Sequence, residues 1–285
     1  MYFYIWSFFI YSFLGWCVEV IYATVNSRKF VNRGFLNGAV CPIYGFGVVI
    51  IIACLTPLKD NIIFAYIGSV LLISSLELIT GWLLEKSFHQ KWWDYSDMKF
   101  NINGYACLKF SLMWGLACLL ILNIIDPIIY KMITLIPVTI GNIFLGMFFI
   151  LIIIDVIVTI QSVINLNKVL KQLNEIALKM RRFSEEFGEK ISSGSISFLE
   201  KGEELKNVLN EGRSYTSRVV EEKVEIMDQR LEKAKEQVYE LEIKRKELLN
   251  KGIFGVKRLV QAFPRMKSNY YKELMEELKE KISKY

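Results

Sequence analysis

Four carboxylates in this chain stand where carboxylates are costly. Glu19, Glu77 and Asp155 lie inside long apolar runs, and Glu85 closes one. An ionised carboxylate at the centre of a bilayer costs about 2.5–3.5 kcal/mol on insertion scales. Such groups therefore face a bundle interior or a wet cavity. One chemistry that fits is a relay for protons or cations, or a polar wall for a substrate. The alternative is hydrogen bonding between helices, with Arg33, Lys86 or Lys109 as partners. Asp155 sits roughly mid-run and is the sharpest candidate for a relay. Glu77 is deep. Glu19 lies near a helix end, within reach of a loop arginine, and the terminal position of Glu85 favours the structural role.

A second set of polar residues is mixed with aromatics. The stretch Lys91 to Gly115 carries Trp92, Trp93, Asp94, Tyr95, Asp97, Asn101, Asn103 and Trp114. It is too polar to be buried in lipid throughout and too aromatic for an ordinary solvated loop. Trp and Tyr combine an apolar body with a polar tip and favour the headgroup zone. The spacing predicts a structured collar at one membrane face. A shorter polar loop, Asn26 to Asn37, holds Asn32 and Arg33 in an Asn-Arg-Gly turn. These loop residues are candidates for the mouth of a site; Asp94 and Asn101 also suit plain turn capping.

Other chemistries lack their residues. His89 is the only histidine, so a histidine relay or metal set has no partner. The five cysteines (17, 41, 54, 107, 118) are odd in number and form no Cys-x-x-Cys pair. There is no phosphate-binding P-loop, zinc-protease or serine-hydrolase motif. No metal, cofactor or catalytic set is expected, and an enzyme is the less favoured class. The net charge of +6 is too modest to argue for nucleic acid and suits a region near anionic lipid headgroups.

The elements that position these groups are apolar. Only nine of 35 Lys/Arg and eight of 29 Asp/Glu precede residue 165. The chain therefore divides into an apolar part, 1–164, and a charged tail, 165–285. Five runs approach or exceed the roughly 20 residues a span needs: Met1–Thr24, Val40–Leu58, Ile62–Leu84, Ala106–Ile125 and Val138–Ile164. The first has no basic start and no clear cleavage site, so it reads as an uncleaved helix. The Gly-rich entry to the second predicts a break, a kink or a close backbone approach. Asp126-Pro127 is expected to end the fourth. The basic residues concentrate in the loops after the first and third runs, which places both loops and the tail in the cytoplasm and the N-terminus outside. In the tail, Val220, Val224, Met227, Leu231, Ala234, Val238, Leu241, Arg245 and Leu248 alternate spacings of four and three. This heptad segment, 220–248, predicts either a coiled coil between copies or an antiparallel fold-back. Residues 252–267 form a basic amphipathic piece that suits a membrane surface or a neighbouring helix. The fold class is all-α: a polytopic membrane helix bundle of about five transmembrane helices with a C-terminal cytoplasmic helical, coiled-coil tail.

Three phrases, taken together, carry a family resemblance. They are Phe13–Glu19 (FLGWCVE), Asn32–Gly47 (NRGFLNGAVCPIYGFG), and WWDYSD leading through FNINGYACL to WG between Trp92 and Gly115. In this order they resemble the CmpB-like, ABC-transporter type IV family of bacterial membrane proteins, over about residues 1–155. Ala39-Val40 replaces the family's usual Gly-Pro before the Cys-Pro-Ile-Tyr-Gly core. The resemblance implies a permease-like protein of the cell membrane whose energy comes from a separate ATPase subunit. It carries no assigned substrate or site residue. The other expected partners are the lipid bilayer and, through the tail, further copies of the chain. Two alternatives come from other classes: a membrane-anchored scaffold or sensor acting through the tail, and an intramembrane enzyme modifying lipid.

Overall fold

A computed structural model describes the backbone of residues 1–208 and 215–283; the side chains of 187, 190–208, 215–224, 227, 228, 230, 231 and 251–255 lie outside that description. The chain is an all-α helix bundle. Helices α1 (Tyr2–Ser27), α2 (Pro42–Leu55, extended by a 3-10 turn to Leu58) and α3 (Ile62–Phe88) precede the collar. Three two-residue strands lie in the collar: β1 (Gln90–Lys91), β2 (Asn101–Ile102) and β3 (Ala106–Cys107). Then come α4 (Leu108–Leu120), α5 (Asp126–Thr134), α6 (Val138–Val208), α7 (Tyr215–Ala262), β4 (Lys267–Ser268) and α8 (Lys272–Ser283).

Among the described residues, four helices are long and apolar enough to cross a membrane: Tyr2–Ser27, Ile62–Phe88, Leu108–Thr134 and the apolar start of Val138–Glu186. The second apolar run differs from expectation. Cys41 is extended and Pro42 takes the first helical turn, leaving a 14-residue helix, about 21 Å long at 1.5 Å per residue. Its glycines serve close approach rather than a kink. A Cβ on Gly45 would fall 2.5 Å from the Phe8 backbone oxygen, and one on Gly15 would collide with Tyr44. The fourth run is also corrected: Asp126-Pro127 does not end the helix. Residues Ile121–Ile125 form a π turn that joins α4 to α5, with Pro127 in the first turn of α5. The wider turn accommodates a residue without an N–H, so the helical path continues to Thr134.

Two compact units result: 1–167 with 253–285, and 168–252. The expected tail is thus divided, its last stretch belonging with the bundle. The core of the first unit lies between α1, α2, α4, α5 and the start of α6, around Trp6, Phe9, Ile51, Leu122 and Leu145. In the second unit, Ala234, Val238, Leu241, Arg245 and Leu248 are half-buried while most of their neighbours are exposed. The heptad periodicity therefore matches burial already present within one chain. Val220, Val224, Met227 and Leu231 lie outside the described side chains.

Candidate functional site

The polar loops converge at one end of the bundle. The loop 28–41 folds around Asn32. Its Oδ1 accepts from Trp16 Nε1 at 2.8 Å and from the Gly34 N–H at 3.0 Å, and its Nδ2 donates to the Asn37 carbonyl at 2.7 Å. Asp155 holds the far side of the loop. It accepts from the Asn37 and Gly38 N–H groups at 2.9 and 2.7 Å and from Asn37 Nδ2 at 2.9 Å. Its helix starts at Val138, and seventeen residues of rise, roughly 26 Å, bring its carboxylate to the 28–41 loop.

The collar is a self-braced structure. Asn103 and Gly104 have φ values of 50° and 72°, and the Tyr105 N–H closes onto the Ile102 carbonyl at 2.9 Å. This is the Asn-Gly turn of a β-hairpin, pairing Asn101 with Cys107 and Ile102 with Ala106. Asn101 accepts from the Gly104 N–H at 2.9 Å and donates to the Met98 carbonyl at 2.7 Å. Asn101 and Asn103 thus shape the turn. Trp93 Nε1 donates to the Tyr105 carbonyl at 2.8 Å. Asp94, 7% exposed, accepts at Oδ1 from the Ser96 N–H at 3.0 Å and pairs with Lys91 Nζ at 3.1 Å. His89 caps α3 in the left-handed region at φ 57°.

Beneath the loops, acids meet tyrosines. Tyr44 donates to Glu19 Oε1 at 2.6 Å, and Arg33 Nε lies 3.6 Å from Glu19 Oε2 with its guanidinium over the Tyr22 ring. Tyr95 is coupled electrostatically to Glu77, and Tyr105 to Glu85. Burial pushes the Tyr95 phenol well above its ordinary range, with Glu77 and then Glu19 adding to the effect and Arg33 opposing it. Burial also pushes Tyr105 up to about 12, with help from Glu85. Glu77 Oε2 and Glu85 Oε2 are buried without a hydrogen-bond partner. The structure brings Glu19, Arg33, Glu77 and Tyr95 into one electrostatic neighbourhood with Tyr44, and leaves Asp155 on the loop.

The C-terminal stretch closes this end. Arg258 donates to the Gly34, Phe35 and Leu36 carbonyls, each at 2.9 Å. Phe263 packs edge-on against Trp92 at 5.1 Å between ring centres, and Trp92 meets Phe35 at 4.9 Å. Lys267 Nζ reaches Asp94 Oδ2 at 2.6 Å, and β4 pairs antiparallel with β1. Asn269 Nδ2 donates to Glu85 Oε1 at 3.0 Å. Burial acts to raise the Asp94 carboxyl, but hydrogen bonds from Lys267, Ser96 and Lys91 outweigh it and hold the group well below the usual carboxylate range. Sequence reasoning missed Tyr44, Tyr105, Arg258, Phe263 and Lys267. The Asn103-Gly104 dipeptide is a hairpin signal that the sequence reading did not use, whereas the tail contacts had only the basic amphipathic pattern of 252–267 as a signal.

Among the described residues no group of three or more His, Cys, Asp or Glu is gathered to hold a metal ion. The model of the family described as Putative ABC-transporter type IV matches residues 6–160, more than half of the chain. The chain belongs to that family. No curated protein and no solved structure matches it. The apolar helices and the family together fit a membrane protein related to transport. The match contains both loops, Asp155 and every acid of the site, and ends before the closing stretch 256–271.

Proposed function

We propose that this chain is a permease-like membrane subunit working with a separate ATPase. One observation carries the reading: two acids, a guanidinium and two tyrosines gather beneath the loops of a bundle belonging to a transporter-type family. An acid-phenol-guanidinium set of this kind can bind a polar or cationic solute or pass a proton, because it presents acceptors, donors and groups that are both, and ionisable groups within membrane helices mark such pathways. Glu19 and Glu77 are the polar wall. Asp155 and Glu85 hold the loops and collar in place. The sequence has no P-loop, so the energy source is a second polypeptide. It docks on the loop-collar face, which is cytoplasmic in this reading.

Two measurements test it. Crosslinking in native membranes through a photoreactive residue at Asp97 should capture a P-loop ATPase. An untargeted comparison of cell contents should show the same accumulating or depleted solute in Glu19→Gln and Glu77→Gln cells as in cells lacking the protein. Normal solute content in both variants, with the protein present at normal levels, would remove the polar wall from the mechanism. A second reading, a scaffold acting through its helical tail, is favoured by the separate unit 168–252. Light scattering of the full chain in detergent distinguishes it: a monomer argues against assembly through the tail.

A further inference from the structure

The loop and the collar each have a brace of their own that does not involve the chain covering them. Asn32, Trp16 and Asp155 hold the 28–41 loop. The hairpin, Lys91, Trp93 and Asn101 hold the collar. None of these bonds comes from residues beyond 159. The surface so formed offers mostly acceptors at its polar stations: the three carbonyls of Gly34–Leu36, the Oδ2 of Asp94 and the Oε1 of Glu85, with one donor, Arg33 Nε, 3.4 Å from the Ala262 carbonyl. Between them lies the aromatic floor of Phe35, Phe88 and Trp92. The open edge of β1 completes it. Residues 258–269 answer each station with a donor, an acceptor, an aromatic or a strand. A preformed surface met by a sequence-distant segment through strand addition and spaced side-chain contacts is the geometry of peptide recognition.

We infer that the loop-collar surface is a peptide-recognition site for a basic-aromatic segment of the form Arg-x4-Phe-x3-Lys, filled here by the chain's own residues 256–271 acting as a tethered ligand. The inference stands whether or not the bundle transports a solute. The receptor lies wholly within the family match and the ligand lies outside it. A relative or partner carrying such a segment would therefore find the same site. In this chain, an outside segment must displace the internal one. The Arg258 station is the most selective, because three carbonyls shared between two guanidinium nitrogens suit a planar fork better than an ammonium.

The test uses the full chain in detergent. A release variant, Arg258→Glu/Phe263→Ala/Lys267→Glu, is titrated with a fluorescent synthetic peptide of residues 256–283. The peptide should bind the release variant saturably and at least tenfold more tightly than it binds wild type. Its Arg258→Ala/Lys267→Glu counterpart should bind at least tenfold more weakly. A release variant that elutes and scatters like wild type but takes up no peptide would overturn the proposal, as would equal binding of both peptides. Should the variant not fold, a protease site placed within 209–214 of the wild-type chain replaces it. After cleavage, the C-terminal fragment should stay bound and exchange with the labelled peptide. A fragment that never exchanges, or that leaves and does not rebind, refutes the assignment.

Discussion

Asp155 and Arg258 show how much a single polar side chain can organise at this end of the bundle. Asp155 accepts two backbone N–H groups and an amide from the 28–41 loop. The loop is exposed there, so water takes up some of the lost bonding after substitution. Asp155→Ala should cost about 2 kcal/mol and Asp155→Asn about 1, read by thermal unfolding in detergent and by faster hydrogen exchange over 34–38. A relay residue would behave otherwise, losing function with stability unchanged. Arg258→Ala removes three charge-assisted bonds and should weaken the hold on the loop by about 3 kcal/mol. Arg258→Lys should recover less than half of that, because an ammonium cannot fork across three carbonyls. Hydrogen exchange over 256–271 measures both.

At the scale of elements, α1 and α2 approach closely because glycine faces side chains and backbone across the contact. Gly45→Ala places a methyl 2.5 Å from the Phe8 carbonyl oxygen, and overpacking of this kind costs about 1–3 kcal/mol. Gly146 on α6 has nothing within 4 Å of its added Cβ. Gly146→Ala should therefore be neutral or should stabilise by up to about 1 kcal/mol, through helix propensity alone. The pair forms an internal control, with melting temperature in one detergent as the readout. Were both changes equally damaging, close packing would not be the reason for Gly45. The collar has a matching constraint at Gly104. There a Cβ would sit 2.5 Å from Asp94, Lys91 and Ser96, at a φ of 72°.

At the scale of the whole molecule, the first unit is closed by a stretch from the other end of the chain. The ion pair between Asp94 and Lys267 gives that closure a pH window. A carboxylate held below its ordinary value contributes stability that is fully present above an unfolded pKa of about 3.9 and is lost as pH falls through the folded value. Hydrogen bonding to Asp94 raises the Lys267 ammonium. Its contribution is present below about pH 10.4 and is lost as pH rises through the folded value. Exchange protection over 256–271 should stay flat between about pH 5 and 10 and fall outside that range. Lys267 is 49% exposed, so salt should weaken the pair as well. The proposed orientation makes a separate prediction. Cysteines introduced at Lys29 and Asp97, both exposed, should label from the cytoplasmic side, and an impermeant reagent applied to intact cells should not reach them.

Hydropathy and charge determined the apolar bundle and its charged tail, and three ordered phrases the family, because apolar length, loop charge and short motifs are local properties of a chain. The tertiary structure decided the partners. Asp155 read as a relay candidate roughly mid-run, yet the 28–41 loop folds onto its carboxylate. Pro127 read as a terminator, yet a π turn absorbs it. Arg258, Phe263 and Lys267 are set more than 160 residues beyond the groups they meet, and no local pattern specifies a contact at that distance. Only the folding of the chain back onto Gly34–Leu36 and Asp94 does so, where Arg258 and Lys267 bring donors to a set of acceptors.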